Sequence, residues 1–209
     1  MYGKISTVAF VGIEARPVQV EVRITPGQHN FSIVGLPDKA VAESRERVRN
    51  ALHALPWTRI TVNLAPGDLP KEGSHFDLPI ALALLVAMEA ISPEAVHGYI
   101  AIGELALDGG LRIVPGGLPA AMGASAMNKG LICPAGCGQE AAWAGEDVEI
   151  IAPAHLLSLI NHFRGAQMLR RPIPNLSKEP ATTQDLRDIK DRKRRNVSSR
   201  SRLQAGTIS

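Results

Sequence analysis

Long apolar runs, cysteines and aromatic residues are scarce in this chain of 209 residues, and these scarcities exclude several classes of protein. No stretch approaches eighteen consecutive apolar residues, so no transmembrane helix is predicted. The N-terminus lacks the basic-then-apolar order of a signal peptide. The two cysteines, Cys133 and Cys137, do not make a disulfide scaffold and are typical of a reducing compartment. We therefore expect a cytoplasmic protein that does not contact a membrane.

The net charge of +3 conceals a strong asymmetry along the chain. Residues 186–209 contain eight Lys or Arg and two Asp, whereas the first 185 residues contain 15 basic and 18 acidic residues. The body is thus −3 and the tail +6, so the isoelectric point near 9.1 reflects the tail. Such a tail can bind nucleic acid through phosphates with steep salt dependence. Its lack of aromatic residues predicts nonspecific binding, which we keep as an alternative function.

Apolar periodicity predicts an α/β domain with a mixed sheet and flanking helices over residues 1–165. Asp38 is the expected N-cap of the first helix, and the second helix is apolar enough to be buried. In the first helix four residues fall at helical spacing, namely Val41, Arg45, Val48 and Leu52. Strands are predicted at 5–12, 18–24, 30–34, 59–64, 98–103, 131–132 and 148–151, with a hairpin turn at 108–110 leading into 111–114. Helices are predicted at 39–55, 76–90, 117–128, 139–144 and 155–163.

The regular pattern ends after residue 165. Residues 166–190 are predicted to be a linker, because three prolines fall within 170–180. Residues 191–209 are predicted to be a basic, disordered tail, because charges are many and apolar residues few.

Most candidate site motifs in the chain are weak. The sequence contains no G-x-x-x-x-G-K-[ST] phosphate loop, so we expect no nucleotide site of that kind. Cys133 and Cys137 can be interpreted as half a metal site, with His155 and His162 seven residues apart, but loop cysteines are the better interpretation.

The loop at 66–77 is rich in polar residues, and two interpretations of it stay open. Asp68, Lys71, Glu72, His75 and Asp77 can form a general acid–base site. They can equally form a solvated loop that caps the following helix, which is the interpretation we favour.

Several motifs together resemble the N-terminal region of the ComM/YifB family, the magnesium-chelatase-like AAA+ ATPases of bacteria. They are V-G-L-P at 34–37, E-S-R-E-R-V-R at 43–49, I-T-V-N-L-A-P-G-D-L-P-K-E-G at 60–73, F-D-L-P-I-A-L at 76–82, G-E-L-A-L-D-G at 103–109 and P-G-G-L-P at 115–119. The resemblance implies a Lon-protease-like domain, of the fold shared with small ribosomal-subunit protein five, which precedes an ATPase module. It also implies hexameric, ATP-driven helicases that branch-migrate DNA in natural transformation. ATP and magnesium are expected only in full-length relatives, and the implied partners are AAA+ subunits, further copies of the chain, or DNA.

The Lon-like resemblance allows a residue-by-residue comparison with the Ser-Lys dyad of that peptidase. The serine run P-K-D-G-P-S-A-G corresponds to residues 70–77, which places His75 at the nucleophile position and Ser74 one residue early. The lysine run G-G-L-K corresponds to 116–119, where Pro119 replaces the base. Since proline cannot activate a hydroxyl, we expect no enzyme activity. A degenerate Ser74 or His75 hydrolase is the alternative.

The same resemblance implies that the remaining loop residues either stabilise the fold or contact a neighbouring subunit. Asp77 is expected to accept hydrogen bonds from free N–H groups at the start of its helix. Lys71 and Glu72 are expected to be solvated or to face a neighbouring subunit, so Asp68, Lys71, Glu72 and Asp77 form a candidate interaction loop.

The tail after Lys190 does not follow the family pattern, which continues with G-Q-E-A-A-K-R. Permitted codons for residues 191–208 can encode that continuation in a shifted frame. We therefore expect a frameshift, or a sequencing error, that truncates the chain before the ATPase module.

Overall fold

The computed structural model describes residues 1–52 and 59–174, and these residues fold around a seven-stranded sheet. The strands are β1 (Tyr2–Val11), β2 (Glu14–Thr25), β3 (Asn30–Val34), β4 (Arg59–Ala65), β5 (Tyr99–Ala101), β6 (Glu104–Leu105), β7 (Leu111–Arg112), β8 (Gly130–Ile132) and β9 (Ile150–Ile151). The helices are α1 (Lys39–Ala51), α2 (Asp77–Ala87), α3 (Pro93–His97), α4 (Gly117–Ala126), α5 (Ala135–Ala141) and α6 (Leu156–Phe163), with 3₁₀ turns at Ser74–Phe76 and Ala142–Ala144.

The sheet is mixed, in the order β3-β4-β2-β1-β5-β8-β9. β1 pairs antiparallel with β2, and β2 antiparallel with β4, whereas β3–β4, β1–β5, β5–β8 and β8–β9 are parallel. β6 and β7 form the separate hairpin that the turn at 108–110 predicted. The predicted mixed α/β class is confirmed, and the arrangement is consistent with a Lon-like domain.

Two apolar cores lie on opposite faces of the parallel half of the sheet. Successive strand residues enter different cores because side chains alternate along a strand. Ala101, Ile132 and Ile151 join the core that contains α1, α2 and α6, whereas Ile100, Leu131 and Ile150 join the core that contains α4 and α5.

The antiparallel half, β1, β2 and β4, packs one face against helices. On the other face α4 covers the region near the β1–β2 turn, where Val8 is buried, and the rest of that face is accessible. In β2 the apolar residues Val18, Val20, Val22 and Ile24 are buried, as their alternation predicted, while the residues between them are exposed or half-buried. We call the accessible surface the open face. It consists of Tyr2, Lys4, Ser6, Gln19, Glu21, Arg23, Thr25, Arg59, Thr61 and Asn63.

Helix α2 is the centre of the larger core, and all eleven of its residues are buried. The predicted buried helix is confirmed with the shorter bounds Asp77–Ala87. Phe76 belongs to a separate 3₁₀ turn, and at the other end Glu89 has a positive φ of 59°, which terminates the helix. Gly3 lets β1 approach this helix, since a Cβ at Gly3 would lie 2.1 Å from the Ala83 carbonyl oxygen.

Helix α1 begins as predicted and ends at Ala51, and the predicted residues 53–55 lie outside the described residues. The Asp38 side chain caps it by accepting a hydrogen bond from Val41 N. The expected grouping of Arg45 with the apolar positions is wrong, because Arg45 is exposed and Ser44 is buried.

Residues 165–174 have no helix or strand, yet they contact the body of the domain. The Arg171 guanidinium donates to the carbonyl oxygens of Gly145 and Glu146, both at 2.5 Å. The predicted linker beyond 174 and the predicted tail at 191–209 lie outside the described residues. Within the described ranges, none of the helices has the length and apolar character needed to span a bilayer.

Candidate functional site

The loop at 66–77 is fastened to the segment that links β3 to α1. Lys71 N donates to Leu36 O at 3.1 Å, and Asp38 N donates to Lys71 O at 2.9 Å. Asp38 also uses both carboxylate oxygens, since Oδ1 accepts from Val41 N at 2.7 Å and Oδ2 accepts from Gly73 N at 3.1 Å. One side chain therefore caps α1 and holds the loop at the same time.

Lys71 is fully buried inside this loop, so the expectation that it is solvated is wrong. Its Nζ donates to the carbonyl oxygen of Pro66, within the same loop. Burial lowers the pKa of the Lys71 amine, because the charged form is desolvated, although Asp68 partly opposes this. Asp68 and Glu72 are exposed and remain the accessible acidic residues of the loop.

Asp77 is fully buried and pairs with Arg47 from α1. Arg47 Nε lies 2.5 Å from Asp77 Oδ2, and Arg47 Nη2 lies 3.1 Å from Asp77 Oδ1. The backbone N–H of Leu105 also donates to Oδ2, at 3.0 Å. The expectation that Asp77 caps its own helix is wrong, because these bonds join α2 to α1 and β6, and no side chain caps α2.

The electrostatics of the Asp77–Arg47 pair follow from its burial. Desolvation raises the pKa of the Asp77 carboxyl, and the hydrogen bonds from Arg47 and Leu105 oppose the rise. The hydrogen bond to Asp77 raises the pKa of Arg47. Since both carboxylate oxygens accept hydrogen bonds from protein groups, Asp77 is poorly placed for general acid–base chemistry.

His75, at the position that corresponds to the peptidase nucleophile, points into the protein and is buried. Its Nε2 donates to Val8 O at 2.9 Å, which assigns the proton to Nε2, and its ring centroid lies 5.1 Å from Phe10 and 4.3 Å from Phe76. Burial lowers the pKa of His75, so the ring is neutral near pH 7.

Pro119, at the predicted dyad lysine position, and Ser74, one residue before the predicted nucleophile position, lie in different elements. Ser74 opens the 3₁₀ turn and is half-buried, and Pro119 lies in the first turn of α4. Within residues 1–52 and 59–174, no hydrogen bond joins Ser74 Oγ to a base. Ser74 and His75 are therefore consecutive residues of one turn, but the turn directs the imidazole away from the Ser74 hydroxyl and toward β1.

The cysteine and histidine candidates do not form a metal centre. Cys137 lies in α5, not in the expected loop, and its Sγ lies 3.4 Å from Val114 N; it and Cys133 are buried and free. His155 caps α6, with Nδ1 accepting from Leu157 N at 3.1 Å. In the part of the chain that the structure describes, no three potential metal-binding side chains lie together.

Arg47, Ser44 and Leu105 belong to the site although the sequence analysis did not single them out. Arg47 Nη2 lies 3.5 Å from Ser44 Oγ and 3.0 Å from the carbonyl oxygen of Ala40. Residues three apart share a helix face, so the spacing of Ser44 and Arg47 was a usable signal. The contact of Asp77 with Leu105 depends on long-range folding, so no local sequence signal could have predicted it. Chemically, the arrangement is a buried polar network that fixes a loop.

The chain is similar to proteins of a known family. A model described as "Subunit ChlI of Mg-chelatase" matches residues 20–136, which is more than half of the chain. The chain is 39% identical over 189 residues to the uncharacterized protein YifB of Salmonella typhimurium. The aligned region covers 88% of this chain and 37% of that protein. The chain is also 39% identical over 165 residues to the competence protein ComM of Haemophilus influenzae, covering 77% and 32%.

A third relative lies in Mycobacterium tuberculosis. The uncharacterized protein Rv2897c is 34% identical over 192 residues, covering 90% of this chain and 38% of that protein. This chain thus spans well under half the length of the curated relatives it matches. The extent of the family-model match and the agreement among these relatives show that the chain belongs to the ChlI, magnesium-chelatase-like family.

Proposed function

We propose that this chain is a non-catalytic N-terminal module of a ComM-type, magnesium-chelatase-like AAA+ ATPase. The observation that carries the proposal is the inward position of His75. A residue that replaces a peptidase nucleophile, is buried, and donates its ring N–H to Val8 O cannot attack a substrate carbonyl. Pro119, in the place of the dyad lysine, has no base to offer Ser74.

The surrounding loop supports a structural role. Its buried amine and its buried carboxylate, on Lys71 and Asp77, are both engaged by protein groups. Asp38 and the backbone of Lys71 hold the loop on α1, so its exposed residues keep a fixed position. Fixed, exposed Asp68 and Glu72 are suited to contact a neighbouring AAA+ subunit or a second copy of this chain.

In this proposal the nucleotide chemistry belongs to the longer proteins of the family. ATP and magnesium act in the ATPase module of such relatives, whose DNA branch-migration activity in natural transformation this module would assist. The name of the Haemophilus influenzae relative, competence protein, supports that context. Two free, buried cysteines support a reducing, cytoplasmic location.

A peptidase assay with a matched variant tests the proposal. The purified chain is incubated with casein, and cleavage is compared between wild type and Ser74→Ala, with and without a serine-directed inhibitor. We expect no cleavage above the inhibited background in either protein. Inhibitor-sensitive cleavage that disappears in Ser74→Ala would establish the alternative, a degenerate serine peptidase.

Calorimetry tests the nucleotide half of the proposal separately. ATP at millimolar concentration should give no saturable heat, because the sequence offers no phosphate loop. Saturable binding that is lost on substitution of Lys71 would contradict the assignment of nucleotide chemistry to another module.

A further inference from the structure

The open face is polar and carries a line of positive charge. Lys4, Arg23 and Arg59 are exposed, one on each of the strands β1, β2 and β4. The opposite side of the same strands is buried in the core with α2, so the sheet separates an apolar layer from a charged surface.

The strand register sets the spacing of these three cations. Lys4 pairs with Glu21 and Tyr2 pairs with Arg23, so Lys4 and Arg23 are diagonal neighbours. Arg23 in turn pairs with Thr61, two residues from Arg59. Diagonal neighbours across antiparallel strands lie about 7–8 Å apart. The three charges therefore cross the sheet as one oblique row.

This row is positive although the protein body is negative. The first 185 residues carry 15 basic and 18 acidic side chains. The acidic residue within the row is Glu21, whose carboxylate accepts from Tyr2 Oη at 3.1 Å and from Asn63 Nδ2 at 2.9 Å. Within the described ranges, Lys4, Arg23 and Arg59 form no ion pair within 4.0 Å, so their charges face solvent.

A cleft of about 320 Å³ extends the positive row at the β1 end. Lys4, Ser6 and Gln19 line it from the sheet, and Lys129, the residue before β8, lines it as well. Lys129 Nζ donates to Ser6 Oγ at 2.8 Å and to His97 O at 3.0 Å, which holds the ammonium group at the rim. Glu94 also lines the cleft, on the α3 side.

We propose that the open face binds the phosphate backbone of a nucleic acid strand through Lys4, Arg23 and Arg59, with Lys129 at one end. Charge complementarity carries this inference, since a regular row of exposed cations on an otherwise acidic body matches a repeating anion. Tyr2 lies beside the row with 52% of its surface exposed, and its ring offers a surface on which a base can stack. The inference rests on the proposed function and deepens it by assigning the nucleic acid contact to one surface of the module.

The test compares three charge-matched variants of the full chain. The face variant combines Lys4→Gln, Arg23→Gln and Arg59→Gln. The control variant combines Lys39→Gln, Arg45→Gln and Arg112→Gln, which removes the same charge from exposed surface ion pairs elsewhere. A tail variant combines Lys193→Gln, Arg194→Gln and Arg195→Gln. Binding of a fluorescein-labelled oligothymidylate is followed by anisotropy across a salt series.

For the face variant we expect the slope of log K against log salt to decrease in magnitude by about 2, since each lost phosphate contact on a single strand contributes about 0.7. Affinity should fall by roughly 30-fold near 0.2 M salt from the same relation. The control variant should keep its slope. Equal losses in the face and control variants, or a loss confined to the tail variant, would overturn the inference.

Polyglutamate serves as a competitor in the same assay. We expect it to displace the oligothymidylate less effectively than an unlabelled strand does. Equal competition by polyglutamate would overturn the inference by showing a general anion surface. Casein cleavage is measured on the same samples, so a failure of the non-catalytic proposal is seen independently of DNA binding.

Discussion

Replacing Asp77 by alanine should destabilise the domain far more than the loss of a helix cap, which costs about 1 kcal/mol. The substitution leaves Arg47 without its carboxylate partner and Leu105 N–H without an acceptor. Removing one partner of a buried ion pair costs about 3–5 kcal/mol. Since 21% of the Arg47 side chain is exposed and can hydrate, we expect the lower end, about 3 kcal/mol.

Urea unfolding followed by far-ultraviolet circular dichroism measures this loss. With an m-value of about 2 kcal/mol/M, the midpoint should fall by roughly 1.5 M. Asp77→Asn keeps an acceptor for Leu105 N–H and should lose less, and the exposed Asp68→Ala should stay within about 0.5 kcal/mol of wild type. In a double-mutant cycle with Arg47→Met, the coupling energy should exceed about 1 kcal/mol. A loss of only about 1 kcal/mol for Asp77→Ala, with additive effects, would refute the buried-pair reasoning.

Four further substitutions probe other parts of the structure. Burial lowers the pKa of His75 below its unfolded value near 6.5. Wild type should therefore lose stability relative to His75→Gln as the pH falls from about 7 to about 5. Parallel profiles of the free energy of unfolding against pH would contradict this. Ser74→Ala should change the free energy of unfolding by less than about 0.5 kcal/mol, and a larger loss in urea melts would reveal a hidden contact. Leu36 has a φ of 55°, so Leu36→Gly should gain about 0.5 kcal/mol, and a loss of that size would argue against backbone strain. Arg171→Ala should lower the thermal midpoint by about 3 °C, and an unchanged midpoint would show that its carbonyl contacts are not stabilising.

The elements that the sequence predicted well are those with a strong local signal. The alternation in β2 and the apolar character of α2 each determine a buried face, and both are confirmed. Asp38 was identifiable as a cap because its residue type and its position before a helical pattern agree. The ends of α2 and α5 were less predictable, because 3₁₀ turns adjoin both helices and because α2 stops at the positive φ of Glu89 although apolar residues continue beyond it.

The polar residues of the loop at 66–77 were misjudged because their partners are distant in the sequence. Lys71 looks like a solvated residue by type, yet the loop closes over it and supplies the Pro66 carbonyl oxygen. Asp77 lies thirty positions from Arg47, and nothing local indicates that α1 would place a guanidinium beside it. The inward turn of His75 likewise depends on β1, which provides the acceptor from Val8.

Labelling with a fluorophosphonate probe, followed by peptide mass spectrometry, measures whether Ser74 is an activated nucleophile. Wild type and Ser74→Ala are incubated with the probe under identical conditions, and the peptide that contains residues 72–78 is measured in each. Because Pro119 supplies no base and the His75 imidazole points toward β1, we predict no adduct on Ser74. A stoichiometric adduct on Ser74 in wild type, absent from Ser74→Ala, would show that Ser74 is activated and that the domain is not a non-catalytic module.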